Sequence, residues 1–208
     1  MIRHIVKIIA SFCLLMVFSV GLLSSSAQAL EIRQLTSPKG IKLWFVKDTN
    51  LPIIQMRFLW RGGTANFDPG LIRFVSTMLD EGAGDLDSKT FQTQKEDYGI
   101  KLSFSAEKDN FSGSLRTLKK HKDEAFSLLR LAVNNPRFDV APLERMRQAL
   151  LAEHRSSASN SGTIASETWW QNALEGHAYA TPMRGTPEAT QKINSSMLLK
   201  AHQHLFDQ

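Results

Sequence analysis

The chain has 208 residues, 42% of them hydrophobic and 22% charged, with a formal net charge of +5. This is the composition of an ordinary globular protein, long enough for one large domain or two small ones. One cysteine, Cys13, is too few for a disulfide framework or a thiolate metal site, and basic residues scattered among acids argue against nucleic acid as a partner.

Residues 1–29 read as a secretory signal peptide. Arg3, His4 and Lys7 form a basic start, 8–23 is an apolar run, and Ala27, Gln28 and Ala29 make an A-x-A cleavage site. A retained membrane anchor is the competing reading; the short run, interrupted by Ser11 and Ser19, speaks against it. Phe12 precedes Cys13 where a bacterial lipoprotein signal wants a small residue, so no lipid anchor is expected. The mature chain would then begin near Leu30 as a single domain over 30–208, without a thiol and with a net charge of +3 once Arg3 and Lys7 are gone. It would be exported, to the periplasm in a Gram-negative bacterium and otherwise to the medium, with no stable membrane anchor.

The first elements of the mature chain are strands. Segments 32–36 and 41–46 flank Ser37, Pro38, Lys39 and Gly40 and read as a hairpin. Ile54, Met56, Phe58 and Trp60 alternate with polar residues, as a strand with one buried face does. Next, Leu71, Phe74, Val75, Met78 and Leu79 fall at i, i+3, i+4, i+7 and i+8, the spacing of an amphipathic helix. A further helix closes on Tyr98 and Gly99. Ile100, Leu102, Phe104 and Ala106 alternate again, and 111–118 is a strand paired with them through a turn at 108–110. Then the period changes to 3.6: Ala125, Phe126, Leu128, Leu129 and Ala132 mark one helix, 142–155 a second and 164–174 a third, with the Ser-rich tract 156–162 as a loop. The expected fold is α+β, a mixed and largely antiparallel sheet covered by helices.

Chemistry concentrates in the helix after the third strand. Arg73, Ser76 and Thr77 stand at i, i+3 and i+4, the arrangement in which a helix presents two metal ligands and a general base. The residue types do not suit that work: a guanidinium repels a cation, and neutral hydroxyls are poor zinc ligands. Judged alone, the segment is an ordinary core helix with a polar outer face. Ser76 has no nearby His to activate it, and no phosphate loop or Gly-x-Ser-x-Gly elbow is present. His202 and His204, at i and i+2, diverge too far for a metal pair, and His154 points away from its neighbour Glu153 by about 100°. His177 and Tyr179 read as structural, and Trp169 and Trp170 as cover for core or a groove wall.

Several segments in this order resemble the pitrilysin/insulinase family of zinc peptidases, which includes the mitochondrial processing peptidases. The strand from Leu51 runs into Arg61, Gly62, Gly63 and Thr64. Asp68, Pro69, Gly70 and Leu71 then open the helix that ends in Met78, Leu79 and Gly82. Tyr98, Gly99 and Ile100 are similar to the family's lead into its next strand. Asn135, Pro136, Arg137 and Phe138 are similar to its P-x-F turn. Gly176, His177, Ala178 and Tyr179, with Gly185, Thr186, Pro187 and Glu188, are similar to its G-H-P-Y and G-T-P-E segments. The resemblance covers nearly all of the chain after residue 30 and implies an N-terminal domain of that family.

In active relatives two His residues and a distal Glu bind zinc, and a Glu between the His residues activates water. Position by position, the resemblance places Arg73 and Thr77 where the His ligands stand, Ser76 where the catalytic Glu stands and Glu153 at the distal ligand. It therefore implies no catalytic residue, no metal and no other cofactor, because one carboxylate cannot hold a catalytic zinc. Glu153 is open to two readings, a solvated helix carboxylate or an ion-pair partner for Arg73.

The resemblance further implies a non-catalytic subunit in a hetero-oligomer with an active family member, holding unfolded peptide partly by adding it to a sheet edge. The alternatives are proteolysis with zinc on non-standard ligands, and an inactive fragment of a split gene. Family members follow the helix Ser195–Phe206 with a returning strand and a second domain. The domain is therefore expected to be incomplete at its C-terminus.

Overall fold

The computed structural model describes residues 31–206, in two units divided along the chain between Leu51 and Pro52. The leader expected over 1–29, with Cys13, lies outside the described residues.

The first unit is the expected hairpin. β1 (Ile32–Thr36) pairs antiparallel with β2 (Lys42–Val46), with Ile32 opposite Val46 and Leu35 opposite Leu43. The turn closes through Gly40 N–H donating to the Ser37 carbonyl at 2.9 Å.

The second unit is built on a sheet of β3 (Ile53–Arg61), β4 (Lys101–Ala106) and β5 (Asn110–Leu118). Their order is β3-β5-β4, and both pairings are antiparallel. Register follows the alternation read in the sequence. Met56, Leu115 and Leu102 lie side by side on the inner face, as do Trp60, Phe111 and Ala106. Phe58 and Phe104 flank Gly113 from either side, and a Cβ at Gly113 would stand 2.1 Å from the Phe58 ring, so the glycine leaves room for the two rings.

Seven helices accompany the sheet among the described residues: α1 (Leu71–Met78), α2 (Ser88–Asp97), α3 (Lys122–Asn134), α4 (Val140–Ala158), α5 (Ser161–Ala173), α6 (Pro187–Lys192) and α7 (Ser195–Phe206). Two apolar clusters make the core. One surrounds α1 with Phe111, Phe138, Leu143, Leu198 and Leu205; the other joins Phe91 of α2 and Leu128 of α3 to Leu102 and Leu115 of the sheet. The fold is α+β, with an antiparallel sheet and a helical cover, as its sequence pattern implied.

Two local readings differ from the sequence. The tract 156–162 is not an open loop. α4 runs through Ala158, and Asn160 caps α5 by accepting from the Thr163 N–H at 2.9 Å, leaving only a two-residue break. α1 has less of a polar face than expected. Packing against α7, β4 and α4 buries Ile72 and Ser76 as well as the apolar stripe, and only Arg73 and Thr77 keep partial exposure.

Candidate functional site

Helix α1 is aimed by two glycines. Gly70 at its start has φ +77° and Gly185, in the turn before α6, has φ +71°. The two backbones touch: a Cβ on Gly185 would stand 2.5 Å from the Gly70 nitrogen, and a Cβ on Gly70 would stand 2.8 Å from the Arg184 carbonyl oxygen. Both the sign of φ and the lack of space demand glycine, so two segments that the sequence showed as separate motifs form one joint. At the other end of α1, the Asn135–Phe138 turn docks on the following loop. Gly84 N–H donates to the Asn135 carbonyl at 2.8 Å, and Phe138 is buried in the core.

On this mounting the three polar side chains of α1 are already engaged. Arg73 Nη2 donates to both carboxylate oxygens of Glu153 on α4, at 3.0 and 2.9 Å. Ser76 Oγ donates to the Arg73 carbonyl at 2.6 Å and Thr77 Oγ1 to the Phe74 carbonyl at 2.8 Å. Each hydroxyl thus spends its single proton on its own helix, and neither is poised as a nucleophile. The Arg73 and Glu153 side chains are 32% and 42% exposed, so solvent screens the pair and it contributes at most about 1 kcal/mol.

Beside this pair, α4 carries two buried polar residues. His154 is 8% exposed, and its Nε2 lies 3.1 Å from Thr190 Oγ1. That hydroxyl donates to the Thr186 carbonyl at 3.0 Å, so it can only accept from His154, which fixes the Nε2–H tautomer. Burial, aided by the charge of Arg184, holds the His154 pKa below the ordinary histidine value, and the imidazole is neutral at pH 7. About two turns earlier, Arg147 is 7% exposed. Its guanidinium donates to the Gln191 and Ile193 carbonyls at 3.0 and 2.7 Å and to the Thr190 carbonyl, closing the C-terminal end of α6. The same group lies 5.8 Å from the centre of the Phe74 ring on α1.

Neither Arg147 nor Thr190 was picked out as a site residue from the sequence. A signal was present, since Leu143, Arg147 and Leu150 stand at i, i+4 and i+7 and put an arginine on the core stripe of α4. The remaining sequence candidates resolve into structural roles. His177 Nδ1 accepts from the Tyr179 N–H at 3.1 Å, and Tyr179 Oη donates to Asp109, a bond that raises the tyrosine pKa. His202 and His204 diverge: Nε2 of the first is 2.7 Å from the Val133 carbonyl oxygen, while the ring of the second lies edge-on to Phe67. Trp170 lines a cavity of about 450 Å³ with Tyr179 and Lys108, whereas Trp169 is 60% exposed and covers no core. Burial lowers the pKa of Lys108, whose ammonium donates to the Tyr179 and Thr181 carbonyls.

Zinc does not fit this arrangement. A permanent cation sits opposite the one carboxylate, the adjacent hydroxyls are committed to backbone, and the described residues contain no group of three His, Cys, Asp or Glu side chains able to hold a metal. The fold and the site together define an α+β scaffold in which α1 carries an ion pair to α4 and no set of metal ligands.

Known proteins agree. A non-peptidase homolog, YmxG, from Helicobacter pylori (strain ATCC 700392 / 26695) is 26% identical over 191 residues, 90% of this chain and 43% of that protein. The crystal structure of a peptidase M16 inactive domain from Pseudomonas fluorescens superposes with a TM-score of 0.77 at 25% identity, covering 83% of this chain and 43% of that one. A protease from Helicobacter pylori shares the fold, with a TM-score of 0.73 at 15% identity over 85% of this chain and 44% of that one. No family model matches. The chain therefore spans less than half the length of these relatives. The chain is thus similar to a non-peptidase homolog and to a peptidase M16 inactive domain, in line with the pitrilysin/insulinase resemblance read from the sequence.

Proposed function

We propose that this chain is a non-catalytic subunit of an exported M16 peptidase assembly, pairing with an active member of the family and helping to hold an extended peptide. The observation that carries the reading is the Arg73–Glu153 pair. A degraded metal site would leave a carboxylate without a counterion, whereas here a cation stands where the resemblance puts zinc and keeps the helix pair joined. Such a domain can still bind a chain without cutting it. β4 pairs with β5 alone among the described residues, so its other edge offers backbone groups to an added strand. The leader-like residues 1–29 support export.

The test is to tag the protein in its native host, purify it from the exported fraction, and measure both zinc and co-purifying chains. The expected result is a stoichiometric partner with an intact His-x-x-Glu-His and one zinc per pair. A lone, zinc-free and poorly soluble chain would overturn the proposal and favour a gene fragment.

A further inference from the structure

The face of the sheet turned away from the helices is strongly one-signed. Arg57 and Arg61 on β3, Arg116 on β5 and Lys101 on β4 all project from it and are all exposed. None of the four forms an ion pair with a described residue. Strands β3, β4 and β5 themselves contain no acidic residue; Glu107, just past the end of β4, accepts from Ser105 Oγ at 3.4 Å. Lys101 lies directly opposite Arg116 in the β4–β5 register. Like charges facing each other across a strand pair are unfavourable, and the chain has enough carboxylates to have placed one there. Between the cations, Ser103 and Ser114 hydrogen-bond to each other at 3.0 Å, and Leu59 is 68% exposed.

Lys101 belongs to β4, the strand whose outer edge is unpaired among the described residues. A polypeptide added there would lie about 4.8 Å from β4, with alternate side chains on the two faces of the sheet. On the outer face those side chains would stand beside Lys101, with Arg116 one strand further in. On the inner face they would continue the apolar row of Leu102, Phe104 and Ala106. We infer that the ligand of this edge is an extended polypeptide segment in which acidic residues alternate with apolar ones, its carboxylates seated on Lys101 and Arg116. This inference rests on the reading of the chain as a peptide-holding subunit, and it names the class of peptide. Arginine suits the purpose because its planar fork meets a carboxylate in two parallel hydrogen bonds.

The test uses the full chain and three short fluorescent peptides in which leucine alternates with glutamate, serine or lysine, read by anisotropy at low and high salt. The glutamate peptide is expected to bind about ten-fold or more tighter than the serine one at low salt, to lose that advantage at high salt, and the lysine peptide to bind weakest. K101E/R116E is expected to reverse the order of the acidic and basic peptides. Should that variant unfold on heating earlier than wild type, K101Q/R116Q is expected to level the order without reversing it. Equal affinity for all three peptides, or an order that neither variant changes, would overturn the acidic preference while leaving the peptide-holding reading intact. Absence of binding by any peptide would overturn both. Displacement of the glutamate peptide by a single-stranded oligonucleotide or by phosphatidylglycerol vesicles at lower concentration than by unlabelled peptide would also overturn the inference, in favour of a different anion.

Discussion

Two arginines attend helix α1, and they differ in burial and in what else they hold. Arg147 is buried, gives its donors to the carbonyls that end α6, and stacks on Phe74. Arg73 is partly exposed and meets one carboxylate that solvent also reaches. The first is bound to backbone that cannot move without unravelling a helix end, so its removal would leave buried acceptors unpaired. The second is bound to a flexible side chain that water can satisfy equally well. A charge thus serves the fold where it is enclosed, and serves the surface chemistry of the site where it is not.

The contrast can be broken most forcefully at Arg147. Arg147→Met keeps the apolar stem but strips the carbonyls of Thr190, Gln191 and Ile193 of their donor, and should cost about 3 kcal/mol in denaturant unfolding. An unchanged midpoint would mean that the end of α6 is held by something else. Gly185→Ala attacks the mounting of α1 instead of its packing. The new Cβ would press on the Gly70 backbone at a residue with φ +71°, and a loss of about 2 kcal/mol is expected. Gly185→Ala at wild-type stability would show that the joint can open without cost.

A smaller effect should appear with pH. The pKa of His154 is lowered in the folded protein, so the unfolded chain takes up the proton first as pH falls. Stability from this residue is therefore full above the ordinary histidine pKa of about 6.5, and is lost progressively below it until the folded-state pKa is reached. His154→Gln, which can still donate toward Thr190, should flatten that part of a stability-pH profile; an identical profile would assign the acid loss elsewhere. The smallest effect belongs to the Arg73–Glu153 pair. A double-mutant cycle on Arg73→Ala and Glu153→Ala should give a coupling below about 1 kcal/mol that fades in high salt. A larger, salt-resistant coupling would place that pair alongside Arg147 as a structural element and would erase the distinction between the two.

How far the chain was legible depended on the range of the interaction. The alternation of Met56, Phe58 and Trp60, and the 3.6 period from Ala125 to Ala132, are local consequences of backbone geometry, so strands, helices and their inner faces were visible directly. The unsuitability of α1 for zinc was equally visible, because it is a matter of which atoms Arg73, Ser76 and Thr77 carry. The extent of burial around α1 was not, because the helix that carries Ile72 and Ser76 packs against β4, α4 and α7, all of them distant in sequence.

The sequence by itself determined the strand and helix pattern, the α+β class and the absence of suitable ligands on α1, since side-chain chemistry and a period of two or 3.6 residues need no tertiary information. Only the tertiary structure decided that Gly70 and Gly185 form one joint and that Arg147 ends α6. It alone also set Lys101 beside Arg116 on the exposed outer face of the sheet. Each of these depends on residues distant in the chain meeting at van der Waals or hydrogen-bond range, and that range is set by packing.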